Sequence, residues 1–263
     1  MGEWDRMSTH KKTPALKTVE KALDILDAFG FSDHPMTATE CSETVGLSLS
    51  STYKFLATLS EKGYLDYRPS NKQYALSSKF LYFSNQMRFN MQINQIAYPF
   101  MQELAAQTHE TIHLAMPQGF YAVFVEKIDS PQTIGVQTRI GTRTLLNCGA
   151  TPQSIMAFLD QQTFDRFCGY LSQQFPDSPE IVQAAIDQRE RLRMEGYALT
   201  FEEINKGVAA VAAPIFNSDS QVVASMAIAA PKERFTLEHI QKYIPMIIDS
   251  CRRVSEALGY CGS

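Results

Sequence analysis

Residues 109–113 read His-Glu-Thr-Ile-His and match H-E-x-x-H, a pattern that binds zinc in hydrolases. That chemistry requires both histidines on one face of a continuous helix, with the glutamate as the general base. Residues 111–116 instead follow the alternation of a strand, which separates the directions of His109 and His113. We therefore interpret His113 as a strand residue that faces a pocket or the interior. A zinc hydrolase using His109, Glu110 and His113 is the alternative function.

A second group of polar residues, at 48–58, has the types expected of a helix that reads DNA. Hydroxyls, one aromatic ring and one cation share a face, and such groups suit phosphate oxygens and base edges. The opposite face carries Thr52, Phe55, Leu56 and Leu59 at i, i+3, i+4 and i+7, a spacing that predicts burial. The predicted DNA contacts are Ser50, Ser51, Tyr53, Lys54 and Thr58, together with Arg68 and Lys72 of a following hairpin.

Two helices and a hairpin must position this face. Residues 37–40 read Thr-Ala-Thr-Glu, a capping box that begins the first helix, and Gly46 is suited to end it. Ser48 is the N-cap of the second helix. Two short strands around a polar turn at 68–73 then predict a wing, and the whole predicts a winged helix-turn-helix. A small packing unit without DNA contacts is the plainer interpretation of the same pattern.

Composition is ordinary for a globular protein, with 44% hydrophobic and 20% charged residues in 263. This length suits a small domain followed by a larger one. No apolar run approaches the roughly 18 residues of a membrane span, and the polar N-terminus has no signal-peptide core. We expect a cytoplasmic protein without a membrane partner, and a disordered tail over residues 1–15.

The net charge of −4 argues against DNA binding if it is taken over the whole chain. Up to residue 90, however, 11 basic and 10 acidic residues give +1, whereas 13 basic and 18 acidic residues give −5 for the remainder. The deficit therefore belongs to the larger part. A domain of charge +1 gains phosphate contacts if a dimer doubles them.

No motif beyond H-E-x-x-H suggests catalysis, a cofactor or a metal. The sequence contains neither a G-x-S-x-G nucleophile motif nor a phosphate-binding glycine loop. Five widely spaced cysteines without a C-x-x-C pair predict neither a disulfide framework nor a cysteine zinc site. We therefore expect a protein that is not an enzyme and needs no cofactor.

Beyond the wing, residues 78–94 keep a helical rhythm without a breaker and predict a linker helix. Residues 95–263 then mix strand-like and helical patterns, which predicts an α+β domain. The predicted strands cover residues 111–116, 121–128, 133–139, 209–216 and 222–230.

Several segments, in the same order, resemble the IclR family of bacterial transcriptional regulators between Leu16 and Gly259. The matching segments are residues 16–26, 46–59, 63–65, 110–115, 141–143, 193–198, 207–208 and 211–215. The resemblance implies a winged helix-turn-helix (16–77), a linker helix (78–94) and a GAF-like α+β effector-binding domain (95–263). It also implies a homodimer, or a dimer of dimers, that binds double-stranded operator DNA and a small organic effector.

The resemblance places the effector between the sheet and the cysteine loop 146–150, whose backbone N–H groups hold a carboxylate in family members. Here Thr151-Pro152 replaces the usual helix start, and alanines stand at 210, 227 and 229 where polar contacts are common. These methyl groups predict an apolar or aromatic effector, although alanines in a sheet are also ordinary packing residues. The predicted lining is Ile112, His113, Phe124, Leu146, Asn147, Cys148, Gly149, Ala150, Met156, Val211, Ala227 and Ala229.

These observations predict a ligand-responsive regulator that represses a catabolic operon. One departure weakens a DNA contact, because Leu49 stands where a basic residue is usual in the family. Besides the zinc hydrolase, a third hypothesis is a sensor that acts only through protein partners, with the winged helix as a dimer interface.

Overall fold

The computed structural model describes residues 16–83 and 92–261. The chain divides into two compact units, Met1–Asn90 and Met91–Ser263. The predicted tail, residues 1–15, lies outside the described residues. So does the middle of the predicted linker helix, since residues 79–83 are helical and the next described residue is 92.

The N-terminal unit packs three helices against a small antiparallel sheet with strand order β1-β3-β2. Its core centres on Ile25, Leu56 and Leu65, which are at most 2% exposed. Its elements are α1 (Lys17–Phe31), β1 (Met36–Thr37), α2 (Ala38–Val45), α3 (Leu49–Glu61), β2 (Leu65–Arg68) and β3 (Gln73–Leu76). The predicted winged helix-turn-helix is confirmed.

The caps predicted for α2 and α3 are present. The Thr37 side chain accepts from the Glu40 backbone N–H, and the Glu40 carboxylate accepts from the Thr37 backbone N–H at 2.7 Å. Gly46 ends α2 in the left-handed region, with φ of 68°. Ser48 Oγ accepts from the Ser51 backbone N–H. Each of these contacts joins residues within one helical turn, so the local sequence is sufficient to form them.

The C-terminal unit is a six-stranded antiparallel sheet, order β6-β5-β4-β9-β8-β7, with helices on both faces. The predicted α+β class is confirmed. Its elements are α4 (Gln92–Thr108), β4 (Thr111–Gln118), β5 (Tyr121–Ile128), β6 (Arg143–Leu145), α5 (Ala150–Ala157), α6 (Gln161–Gln174), α7 (Glu180–Glu195), β7 (Ala198–Phe201), β8 (Val208–Phe216), β9 (Val222–Pro231), a 3-10 turn (Lys232–Arg234) and α8 (Leu237–Ala257).

The strand predicted over residues 133–139 is wrong. These residues form bends and unpaired extended chain, and the edge strand is β6, ten residues later. The alternating side chains favour an extended backbone, but pairing depends on a neighbouring strand that a local pattern cannot supply. Gly135 lies within the segment and Gly141 follows it, and a glycine inside a strand weakens it further.

Alternation along the strands divides the sheet into two faces. Ile112 and Val211 point to the face covered by α4 and α8, where they join the largest apolar cluster. Ala212 and Ala227 point to the opposite face and pack under α5 with Ala150 and Ala157. Small side chains at these positions allow α5 to approach the sheet closely. Among the described helices, none is both long and apolar enough to cross a membrane.

Candidate functional site

The exposed face of α3 carries four of the five residues predicted to read DNA there. Ser50, Tyr53, Lys54 and Thr58 are exposed, and Ser51 is half-buried. The hydroxyls of Thr58 and Ser51 already take part in hydrogen bonds within the helix. Thr58 Oγ1 donates to the Lys54 carbonyl at 2.9 Å, and Ser51 Oγ accepts from Ser48 Oγ at 2.9 Å. The phenol of Tyr53 and the ammonium of Lys54 are therefore the most available groups for base edges and phosphates.

Arg68 and Lys72 lie at the two sides of the wing turn, and both are exposed. Arg68 pairs with Gln73 in the β2–β3 ladder, so its position is fixed by strand register. Lys72 has φ of 55°, the left-handed conformation that closes the turn. Both cations therefore stand at the tip of a short hairpin, a geometry suited to the DNA backbone.

A cavity of about 320 Å³ opens on the α5 face of the C-terminal sheet. Five of the residues predicted for the effector line it: His113, Phe124, Gly149, Ala150 and Ala229. The remaining walls come from residues outside the predicted lining, among them Thr151 and Ala210, which depart from the family pattern. These residues are Val136, Gln137, Thr138, Arg139, Thr142, Thr144, Thr151, Thr200, Glu203, Ile204, Asn205, Val208 and Ala210.

One signal in the sequence points to part of the missed wall. Residues 138–144 contain three threonines and two arginines around Gly141, a polar composition that suits a binding loop better than a core strand. The prediction of a strand over residues 133–139 obscured it. Glu203 and Asn205 follow a short strand, β7, that is absent from the predicted strands, and no local pattern indicates that they lie near residue 149.

Five of the predicted lining residues lie in the core and do not line the cavity. Ile112 and Val211 belong to the opposite face of the sheet, because neighbouring strand positions alternate in direction. Leu146 and Met156 are fully buried in the cluster formed with α6 and α7. Ala227 packs under α5.

Asn147 and Cys148 precede the cavity wall without lining it. The Asn147 carbonyl accepts from Gln153 Nε2 at 3.2 Å, so the backbone of the loop is tied to α5. Cys148 Sγ lies 3.7 Å from the Glu203 carbonyl oxygen. Burial, and then the charge of Glu203, raise the pKa of this thiol, so it is a poor nucleophile.

His113 forms part of the cavity wall and is only 4% exposed. Its ring meets Phe124 edge to face with centroids 5.4 Å apart. Burial, followed by the charge of Lys127, lowers the pKa of His113 to about 4. The imidazole is therefore neutral at pH 7. Its Nε2 atom has no hydrogen-bond partner in the described part of the chain.

The start of α5 holds a carboxylate from a distant loop. The Gly149 backbone N–H donates to Glu203 Oε2 at 2.9 Å, and Gln153 Nε2 donates to the same oxygen at 2.6 Å. The Ala150 N–H donates to Thr200 Oγ1 at 3.2 Å. Gly149 has φ of 82°, and a Cβ there would lie 2.3 Å from Ile204 Cδ1. The backbone conformation therefore favours glycine, and a Cβ there would also force the Ile204 side chain to shift.

The H-E-x-x-H residues do not form a metal site. His109 follows the end of α4 with φ of 56°, whereas His113 lies inside β4. The Glu110 carboxylate accepts from Arg234 Nε at 2.7 Å and from a second guanidinium nitrogen of Arg234 at 2.6 Å. Glu110 is thus held in a buried ion pair and is unavailable as a general base. The zinc hydrolase alternative is not supported.

A winged helix-turn-helix and a ligand cavity in one chain define a ligand-responsive, DNA-binding transcriptional regulator. Family models agree with this class: residues 18–69 match the IclR helix-turn-helix domain, and residues 86–256 match the C-terminal domain of bacterial transcriptional regulator IclR. The chain belongs to the IclR family, and it is a regulator, not an enzyme.

Individual relatives agree along nearly their full length. The chain is 31% identical to the HTH-type transcriptional regulator KipR of Bacillus subtilis, over 93% of this chain and 98% of that protein. It is 30% identical to the regulator XynR of Escherichia coli, covering 94% and 99%. Among solved structures, the IclR of Thermotoga maritima matches with a TM-score of 0.75 and 27% identity, covering 94% and 100%.

Proposed function

We propose that this regulator is a cytoplasmic homodimer that binds double-stranded operator DNA, represses a catabolic operon and is controlled by a small organic effector in the cavity. The observation that carries the sensing part is His113. A buried ring nitrogen without a protein partner costs free energy, about 1–3 kcal/mol, unless a ligand or water satisfies it. Its place in the wall of a cavity of about 320 Å³ supports a bound organic molecule.

The lining favours an effector with hydrogen-bonding groups. Five threonines, Gln137 and Asn205 stand beside the apolar side chains of Phe124, Ile204 and Val208. A purely apolar or aromatic effector, as the alanines predict, would form no hydrogen bonds with those hydroxyls and amides. Ala229 and Ala210 do line the cavity, but Ala227 packs under α5. The mixed wall therefore supports a polar organic molecule with an apolar part.

The proposed DNA contacts are those of α3 and the wing. Ser50, Ser51, Tyr53, Lys54 and Thr58 would read or clamp the major groove, and Arg68 and Lys72 would hold the backbone. A dimer is supported by α1, where Leu16, Val19 and Leu23 are 72%, 51% and 54% exposed at helical spacing. An exposed apolar stripe of this kind is suited to a second copy. Dimerisation would also double the phosphate contacts of a weakly basic unit.

Control by the effector would be a population shift. An effector changes operator affinity only if it binds the DNA-competent and DNA-incompetent arrangements of the dimer with different affinities. A repressor of a catabolic operon requires tighter binding to the incompetent arrangement. The effector then releases the operator when the nutrient is present.

The proposal is tested by selecting genomic DNA on the purified protein and measuring affinity for the recovered sequence. Lys54→Ala should weaken binding uniformly and lower the slope of log affinity against log salt by about 1 for each subunit. Lys242→Ala removes the same charge from the C-terminal unit and should leave both unchanged. Equal affinities for both variants and the parent chain would favour the sensor that acts through protein partners.

The sensing part is tested by thermal-shift screening of organic acids, their amides and neutral aromatics. A compound that raises the melting temperature should lower operator affinity in the same concentration range. His113→Phe fills the place of the imidazole ring without a polar atom, and this variant should lose the rise in melting temperature.

Repression is tested by deleting the gene for this regulator. A regulated promoter whose activity falls in the deletion strain would contradict repression.

A further inference from the structure

The start of α5 is already occupied by a carboxylate of this chain. The first N–H groups of a helix attract anions through unpaired donors and the helix dipole. Here the occupant is Glu203, which accepts from Gly149 at 2.9 Å and from Gln153 at 2.6 Å. The Gln153 side chain is 1% exposed, so a buried amide is held in place with a donor directed at this oxygen. The geometry therefore fits a carboxylate.

A second, independent feature of the same cavity indicates a ligand. His113, 4% exposed, presents an Nε2 atom that no other described residue satisfies. His113 and Gly149 both line the cavity, so one small molecule reaches both. A ligand that bonds His113 with one polar group would bring its remaining groups towards the start of α5.

The loop that carries Glu203 is anchored at its ends and exposed in its middle. Glu202 pairs with Lys232, and the Lys232 backbone N–H donates to the Gly207 carbonyl at 2.9 Å. Between these anchors Glu203, Ile204 and Asn205 are exposed. Because the β7–β8 ladder begins with Phe201 opposite Ala209, Glu203 can leave Gly149 without breaking strand pairing.

We propose that Glu203 is a specificity-determining residue that competes with the effector's carboxylate for Gly149 and Gln153. The effector is then an organic anion with a second hydrogen-bonding group for His113. Glu203 screens ligands, since only an anion that replaces its bonds in full can displace it. A neutral molecule cannot. This inference rests on the proposed effector cavity.

The experiment uses the full chain with propionate and its uncharged match, propionamide, as probes in thermal-shift titrations. Glu203→Ala removes the competitor, and propionate should bind this variant about tenfold more tightly than the parent chain, since an internal ligand lowers apparent affinity by the fraction of time it holds the site. Propionamide should stabilise neither protein. Glu233→Ala is the control, because it removes an exposed carboxylate of the same unit that neither lines the cavity nor anchors the Glu203 loop, and it should bind propionate as the parent does.

Glu203→Gln keeps the shape of the side chain, and should show a smaller gain in propionate affinity even if Glu203→Ala folds poorly. Equal propionate affinity in the parent and both Glu203 variants, or no binding to any of them, would overturn the proposal and leave Glu203 as a static cap of α5. A third outcome separates the two proposals. If the Glu203 variants bind propionate more tightly but no organic acid changes operator affinity, Glu203 competes with anions as proposed, and the proposed effector function is overturned.

Discussion

The two units of the chain present their binding groups in different ways. In the N-terminal unit the proposed DNA-reading face lies on one helix, α3, whose N-terminal cap joins residues three positions apart, Ser48 and Ser51. In the C-terminal unit the cavity is lined by all six strands, α5 and two loops, and the bond from Gly149 to Glu203 spans 54 positions. One surface is built by local sequence and the other by tertiary contacts.

This difference indicates which of the two surfaces tolerates substitution without loss of the fold. An exposed helix face can exchange Tyr53 or Lys54 with little effect on its fold, because these side chains contribute little to the core. A cavity wall such as Gly149 is constrained by its φ of 82°, and any side chain there would also force Ile204 to shift. The proposed DNA contacts should therefore be easier to vary than the backbone at the start of α5.

Arg234→Ala should cause the largest loss of stability among these substitutions, and the loss should be confined to the C-terminal unit. It leaves the Glu110 carboxylate, 2% exposed, without its ion-pair partner, and should lower the free energy of unfolding by about 3–4 kcal/mol. Hydrogen exchange should accelerate across β4 and β9 and stay unchanged in α3. The control Lys232→Ala breaks an exposed pair and should change exchange far less. Faster exchange throughout both units would show that they are not independent.

His113 should make the stability of the C-terminal unit depend on pH. Its pKa is about 4 in the folded chain and about 6.5 when unfolded, so the unfolded state binds the extra proton between these values. Stability should be full above pH 6.5 and fall as pH is lowered towards 4, by about 3 kcal/mol in all. Urea unfolding at several pH values measures this. His113→Gln should flatten the profile in that window, and an unchanged slope would assign it to other groups.

Gly149→Ala should disrupt the cavity more than the fold. Its φ of 82° and ψ of 154° suit glycine, and the added Cβ would displace Ile204, for a cost of about 2 kcal/mol. Glu203 should also lose its bond to residue 149. Gly169→Ala is the control, since this helical position has open space and should become slightly more stable. Thermal unfolding measures the stability of both variants. Equal melting temperatures would contradict the prediction that position 149 favours glycine.

Thr37→Ala should cause the smallest loss of stability among these substitutions, and the loss should be confined to the N-terminal unit. Loss of the capping box should cost about 1 kcal/mol and accelerate exchange in α2, with β4 unchanged. The substitution only removes atoms from a half-buried side chain, so it introduces no clash and the loss is confined to the cap. Unchanged exchange in α2 would mean that tertiary packing, and not the local cap, holds this helix.

Prediction from the sequence succeeded where the physics is local and failed where it is not. The capping box, Gly46 and the buried stripe through Leu56 were all readable, because each involves residues within a few positions. The alternation of side chains along a strand can also be predicted from the sequence. The predicted lining nevertheless includes Ile112 and Val211, whose neighbours His113 and Ala210 face the cavity while they face the core. Applying the two-residue period strictly would have excluded them.

The winged helix-turn-helix, the α+β unit and the family to which both belong can all be predicted from the sequence alone. Helix caps, turn glycines and apolar periodicity act over one or two turns, so their free energies are fixed by neighbouring residues. Tertiary contacts alone bring residues 136–144 and Glu203 to the cavity, pair Glu110 with Arg234, and bury His113 with its Nε2 atom unbonded to any described residue. These contacts join residues far apart in the chain, and their formation depends on how the whole sheet brings its strands and loops together.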